Sequence, residues 1–510
     1  MRRLALILVA AGLLLTGCNP DRNILIEGDF TEQEGDPEQP GEPSDPEDPP
    51  GPENPDDPPG PEDPPGPDNP PDDPPSVDPT WQDYIDYIFD PAAIAEVHLY
   101  FQLDEWNALL AAYDAESHTK EYVTCDVTYK KGAETTVIAN SGVRLKGNTS
   151  RRRPENGSGG HVSPGTSWNH IHFGLNFPKY FKDDAHTLKG VKKLYLKWFK
   201  DDPAYVREIF CYDMMRRAGI WTAVYNTYVR LYVKVEGDPS ETYFGVYELL
   251  EHIDKQYIKG RPGFLTEDGN LWKCRYSSGL NSTDDGLFCI DDNSPYPTPY
   301  ELKTNTKNGK DAAFTQIKDF IAKVSGKTGD SFYQWIQQVT DVDLLLKTYA
   351  ANVVVGMWDD YWANSNNYYL YFTTSDRYDY KFFFIPYDYD NTLGTSNFFD
   401  AGRQDPLRWG NDGNPLIAKI LGFPDFRAKY IGYLKEMVAE ESGLFHYSAA
   451  VPRIRAWQES IRQYVNNDTG QDCGIDDRPA SWGNHSEYRL LTDGSNNFFR
   501  VKTATIEALQ

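Results

Sequence analysis

The chain has 510 residues and a formal net charge of −27, with 39% hydrophobic and 14% aromatic residues. That composition can bury one large core or two lobes, and its acidic balance gives no footing for nucleic-acid binding, which draws on basic surface. After the N-terminus no stretch reaches the roughly 18 apolar residues of a membrane span.

Arg2 and Arg3 precede an apolar run, residues 4–15, and the string LTGC that ends at Cys18. This is a secretory signal whose cleavage site carries a cysteine in place of an A-x-A pattern. It resembles the lipobox of bacterial lipoproteins, in which that cysteine is lipidated and becomes the first mature residue. The resemblance implies a chain anchored to the cell envelope by lipid alone, and Asn19 leans toward an outer-membrane or cell-surface destination. An ordinary cleaved signal or a short membrane anchor is the alternative.

Residues 19–80 combine proline with about 20 acidic residues against the single Arg22, in near-repeats such as GPENPDDPP and GPEDPP. Such a segment cannot form a core and reads as a disordered, extended stalk that holds most of the net charge. The expected organisation is therefore a signal over 1–18, a stalk over 19–80 and a folded domain over 81–510. Of the five cysteines after Cys18, Cys274 and Cys289 bracket a polar loop and would bridge in an oxidising compartment. Cys211 lies on a helical face as a buried thiol, and no C-x-x-C spacing marks zinc.

The domain opens with two short helices around a strand, over residues 81–113. Strands follow at 122–129, 135–139 and 142–145, the last running into KGNTSRRRP. Lys146, Gly147 and Asn148 make a small polar loop with Arg144 before it, able to wrap anionic oxygens, although a solvated basic turn has the same pattern. A strand at 171–177 leads to KKLYLKWFKDDPAYVREIF. Alternation places Lys197 on the face opposite Leu194, Leu196 and Trp198, and Asp202 with Pro203 starts a helix that carries Glu208. A strand lysine followed by a helix glutamate has the form of the pair that orients an ammonium toward phosphates, beside the plainer reading of two surface charges.

A hairpin over 227–235 and 243–249 ends in YELLEHID, where Glu251, His252 and Asp254 cap a short helix or hinge. Residues 263–300 read as loop, and helices are expected at 310–325, 331–338 and 341–358. The last of these delivers Asp359. Next come strands at 368–372 and 381–385 around a polar turn at 375–379, a hairpin that would return Asp388 and Asp390 toward Asp359, Asn364, Asn366 and Asn367. Converging carboxylates suit a hard cation or phosphoryl transfer. Downstream of Gly394, helices are expected at 416–421, 426–441 and 452–464, with no alternating strands.

The blocks GVRLKGNTS, LKWFKDDPAYVREIFCYDMMRRAG, YFGVYELLEHID, WDDYWANSNNYYLY and FIPYDYDNTLG, in that order, resemble the bacterial spore-coat-protein-H (CotH) kinase family across residues 95–463. The resemblance implies an α+β, atypical protein-kinase-like fold of two lobes, a strand-rich one at about 95–255 and a helical one at about 256–500 that carries the acidic hairpin. It implies an ATP-dependent Ser/Thr protein kinase using Mg or Mn, with a protein substrate of unknown identity. Carried over, Asp359 is catalytic, Asn364 and Asp388 bind metal with Asp390 assisting, and Arg144, Lys146, Asn148, Lys197 and Glu208 serve the nucleotide. No G-x-G-x-x-G loop is present, so KGNTS takes its place. Two rivals stand beside this reading. DYDNTLG matches the D-x-D-x-T-L opening of haloacid-dehalogenase-like phosphatases, which needs strands after the motif. A catalytically silent module displayed for glycan or protein binding needs no such acid set.

Overall fold

The computed structural model describes residues 81–162, 168–181, 185–290, 297–374, 379–410, 412–484, 488 and 491–510. The signal, Cys18 and the stalk lie outside the described residues, as does most of the turn expected at 375–379. No helix among the described residues is long and apolar enough to cross a membrane.

The fold is α+β. Its first half begins with α1 (Trp81–Phe89), β1 (Ala95–Phe101) and α2 (Leu103–Ala115), then β2 (Val123–Lys131), β3 (Glu134–Lys146), β4 (His172–Asn176), β5 (Lys193–Lys197), α3 (Arg207–Arg217), β6 (Asn226–Val235) and β7 (Thr242–Glu251). The seven strands close into a barrel in the order β1-β2-β3-β4-β5-β7-β6, and the parallel pairing of β1 with β6 seals it. Alternation explains which face goes inside: along β2 every second residue is buried. On β5, Leu194 and Leu196 join the barrel core with Val97, Val143 and Leu231. Tyr195 lies in the other core, and Lys197, two residues on, shares its face.

The second half contains α4 (Lys255–Lys259), β8 (Asn270–Cys274), β9 (Phe288–Cys289), β10 (Tyr300–Leu302), α5 (Lys310–Gly326), α6 (Gly329–Val339), α7 (Val342–Val354), α8 (Tyr361–Asn364), β11 (Tyr368–Phe372) and β12 (Phe382–Pro386). It ends with α9 (Pro415–Ile420), α10 (Pro424–Val438), α11 (Tyr447–Ile461) and α12 (Phe498–Glu507). The strands form one sheet in the order β12-β11-β8-β10-β9. Both strands of the acidic hairpin, YYLYF and FFFIP, are buried throughout. A strand covered on both faces loses its polar alternation.

Several expectations need correcting. The strands expected at 135–139 and 142–145 are one strand, β3, with a bulge opposite Cys125–Val127 where Asn140 takes φ 51°. The helix expected from Pro203 starts at Arg207, because Tyr205 at φ 60° breaks the approach and the Asp202 carboxylate accepts from the Arg207 N–H at 2.8 Å. Helix α7 stops at Val354 and not at Trp358. Gly356 at φ 73° and the Met357 N–H bonding to the Asn352 carbonyl at 3.0 Å form a Schellman stop. The loop expected at 263–300 holds β8 and β9 and runs into β10. Because β10 lies between β8 and β9, Cys274 and Cys289 stand two strands apart and do not bridge. Cys211 is buried as expected, its thiol facing the Thr392 hydroxyl at 3.4 Å. After β12 the described residues contain no strand, which removes the sheet that the phosphatase reading requires.

Candidate active site

A cleft of about 800 Å³ opens between the barrel and the second half, and Arg144, Lys146, Asn148, Lys197, Asp359, Asn364, Asp388 and Asp390 all line it. Of the residues that the family resemblance assigns to nucleotide, metal or catalysis, Glu208 does not line it directly but pairs with Lys197, which does.

Lys197 organises the floor of the cleft. It is 3% exposed, and its ammonium pairs with Glu208, with Asp388 at 2.7 Å and with Asp390 at 3.6 Å. Three elements meet there: β5 supplies the lysine, α3 the glutamate, and the turn after β12 the two aspartates. Burial works against the ammonium, but Asp388 and Glu208 outweigh it and hold the lysine charged well above its ordinary range. Burial likewise opposes the Asp388 carboxylate, yet Lys197 and Lys146 keep it far below the usual carboxylate range. Asp390 goes the other way, pushed up to about 8 by burial, with Asp388 and Glu208 adding to it against Lys197. Glu248, the register partner of Lys197 on β7, is pushed well up by burial and by Glu208, while its carboxyl accepts from the Asn226 amide at 2.8 Å.

Asp388 sits in the left-handed region at φ 64°, and its N–H donates to the Tyr212 hydroxyl at 3.0 Å. A non-glycine residue held there costs about 1–3 kcal/mol. Tyr212 from α3 and the Tyr389 N–H, which donates to Glu208 at 3.3 Å, stitch the turn onto that helix. Oxygens of Glu208, Asp388 and Asp390 all lie within 4.8 Å of one another.

Asp359 stands apart from that trio. Its carboxylate accepts from three amides, Asn364 at 2.5 Å, Asn366 at 2.9 Å and Asn367 at 2.9 Å. Ser365 and Asn367 adopt φ 52° and 53°, which folds the segment back so that all three amides converge. Burial raises the Asp359 carboxyl above its ordinary range, with the Asn364 and Asn366 bonds opposing and Asp388 adding. Neighbouring Asp360 has a purely structural post. It caps α8 by accepting from the Ala363 N–H at 2.6 Å, bonds the Asn352 amide, and is pushed up to about 7 by burial.

The polar loop after β3 lines the cleft. Arg151 pins it, donating to the Gly147 carbonyl at 2.9 Å and to the Ser117 and Thr119 carbonyls at 3.1 and 2.5 Å. Gly147 is required at φ 109°, where a Cβ would run into the Ser150 hydroxyl and come within 3.1 Å of the His172 ring. His172 is held neutral, its pKa driven well down by burial and Lys146, and its Nδ1 accepts from the Trp198 N–H at 2.9 Å.

Sequence reasoning noted Asn366 and Asn367 without giving them a role, and it missed Tyr212, Glu248, Tyr387 and Lys273. The run of three amides within eight residues of Asp359 was a usable signal. Lys273 had none, since NLWKC shows no alternation and its strand is buried on both faces, inside a segment read as loop.

The fold is α+β, and its cleft is lined by Lys197, Asp388 and Asp390 on one side and by the amide-held Asp359 on the other. The family model described as "CotH kinase protein" matches residues 143–490, and the chain belongs to that family. It is also similar to spore coat protein homolog 1 of Rhizopus delemar, at 24% identity over 294 residues, covering 52% of this chain and 43% of that protein. The match thus takes in less than half the length of that relative.

Proposed function

We propose that the chain is an atypical protein kinase that transfers the γ-phosphoryl group of ATP to a serine or threonine hydroxyl of a protein. The observation that carries the reading is the Lys197 ammonium shared by Glu208 and Asp388 across the seam of the cleft. Under this reading the barrel and the helical half are the two lobes of a kinase-like fold. Glu208 fixes Lys197 so that the ammonium faces phosphate oxygens, and the loop from Lys146 to Ser150 offers backbone N–H groups above them.

The donor set fits a hard divalent cation. Asp388 and Asp390 crowd together with oxygens close enough to share one ligand, and burial, with Asp388 and Glu208 adding to it, pushes the Asp390 carboxyl up to about 8, a strain that a bound cation would relieve. Asp388, Asp390 and Asn364 would hold Mg or Mn, which would neutralise charge on the phosphates. Asp359, aimed by its three amides, accepts the proton of the acceptor hydroxyl. Its raised pKa keeps it a better base than a free aspartate.

The test is ATP binding by the full chain with and without Mg²⁺ or Mn²⁺, beside Asp388→Asn. The reading expects metal-dependent binding that the substitution weakens at least about tenfold, the range for a lost charge-assisted contact. Binding indifferent to metal and to Asp388 would leave the cleft to a non-catalytic binding module.

A further inference from the structure

We infer that Lys146 and Lys273, both set over the Tyr387 ring, form with Arg144 an anion subsite that grips the phosphate chain of the donor, and that this chain carries recognition more than a nucleobase does. The inference rests on the phosphoryl-transfer reading only for the ligand's role in a reaction.

Lys146 ends β3 of the barrel and Lys273 lies on β8 of the second sheet, so the two cations reach the cleft from separate sheets. Lys146 stands 4.4 Å from the Tyr195 ring centre and 5.8 Å from that of Tyr387; Lys273 stands 4.9 Å from Tyr387 and 5.9 Å from Tyr369. Among the described residues neither lysine forms an ion pair, and Arg144 bonds only the Tyr122 hydroxyl at 3.1 Å and the Leu145 carbonyl at 3.0 Å. Aromatic faces stabilise a cation by about 0.5–2 kcal/mol, and the nearest carboxylates, Asp388 for Lys146 and Glu301 for Lys273, act on them without forming an ion pair. Burial lowers both ammoniums, with Lys197 adding for Lys146, and Arg275 and Lys146 for Lys273.

Asp359, Asp388 and Asp390 line the same cleft, yet among the described residues none of them forms an ion pair with Arg144, Lys146 or Lys273, so these three cations keep their forks and ammoniums for an anion that enters the cleft. Spanning from one sheet to the other calls for an extended anion, and lysine with the arginine fork suits phosphate. The segment that joins the two halves, where a base could be read, is otherwise engaged. Glu251 pairs with Arg261 at 2.6 Å, His252 packs on Tyr195, and Asp254 caps α4 and holds Lys193 at 2.8 Å. Glu251, His252 and Asp254 do not line the cleft.

Nucleoside triphosphates and inorganic polyphosphate share the required chemistry. With either, the acceptor oxygen bonds to the terminal phosphorus and the bond to the bridging oxygen breaks. The shortened phosphate chain leaves with that electron pair, and the hydroxyl proton passes to Asp359, so no further reactant is needed.

The experiment measures binding of inorganic tripolyphosphate, ATP, GTP and AMP to the full chain and to its Lys146→Gln, Lys273→Gln and Lys273→Arg variants, with circular dichroism to verify folding. Tripolyphosphate should displace ATP, ATP and GTP should bind within about fivefold of each other, and AMP should be roughly a hundredfold weaker. Lys273→Gln should weaken tripolyphosphate and ATP alike by about tenfold, and Lys273→Arg should restore them. AMP binding as tightly as ATP, or a folded Lys273→Gln chain with unchanged tripolyphosphate affinity, would overturn the inference. Lys273-dependent tripolyphosphate binding with no transfer from any donor would refute the kinase reading and leave the subsite standing.

Discussion

Replacing Lys197 with methionine keeps most of the side-chain volume and removes the charge on which the cleft is built. The side chains of Lys197 and Glu208 are 4% and 3% exposed, and that of Asp388 is 32% exposed. At an effective dielectric of about 20, unit charges 2.7 Å apart attract by about 6 kcal/mol. Desolvation of several kcal/mol per ion opposes that gain, so the intact network contributes little net stability. Loss of one partner is another matter, because Glu208, Asp388 and Asp390 are left crowded together; that kind of truncation costs about 3–5 kcal/mol. The sign with pH follows from Asp388. Its carboxyl is held far below the ordinary range mainly by Lys197, which gives the wild type stability that is present above about pH 4 and lost only as pH falls through the depressed value. Without the lysine those carboxyls retain protons, and the variant loses stability as pH rises. Urea unfolding followed by tryptophan fluorescence should therefore show a gap of about 3–5 kcal/mol at pH 8 that narrows at pH 5. Lys200→Met, which removes a partly exposed partner of Asp201, should stay within about 0.5 kcal/mol. A Lys197→Met chain as stable as wild type at pH 8 would refute the reasoning.

Asp390 gives a second pH signature. Its folded value near 8 lies above the unfolded one, so its contribution is fully present below about pH 4 and is lost as pH rises through 8. Asp390→Asn should flatten the decline of melting temperature between pH 5 and pH 9. Gly147→Val meets both a positive φ and the Ser150 side chain, and should cost about 1–3 kcal/mol while loosening the loop, read as weaker ATP binding. We propose that Cys18 carries the lipid anchor that the LTGC string implies, so Cys18→Ala should shift the chain from the membrane fraction to the soluble fraction.

Much of the site was legible because its signals are local. The two ends of the 368–386 hairpin carry Asn367 and Tyr387 beside a paired Tyr368 and Pro386, so adjacency followed from strand pairing. The Lys197–Glu208 pair was legible as strand lysine followed by helix glutamate. Closure of the barrel was not, since the parallel β1–β6 contact joins residues over a hundred positions apart and leaves no local pattern. Strands β9 and β10 are two and three residues long, too short for alternation to show against a Gly- and Asn-rich background. Helix α7 was overextended because AANVVVGMW is apolar but for Asn352, and a single glycine in the left-handed region ends it. The convergence of Asn364, Asn366 and Asn367 on Asp359 goes with Ser365 and Asn367 in the left-handed region, which side-chain chemistry alone does not announce.

The most direct measurement is transfer of label from γ-labelled ATP to protein by the full chain with Mn²⁺ or Mg²⁺, run beside Asp359→Asn and Asp388→Asn. The account predicts metal-dependent labelling of serine or threonine, cut by about 10²–10⁴-fold in Asp359→Asn while ATP still binds, and lost together with metal-dependent ATP binding in Asp388→Asn. Labelling that survives both substitutions, or none from a wild-type chain that binds ATP and metal, would contradict it.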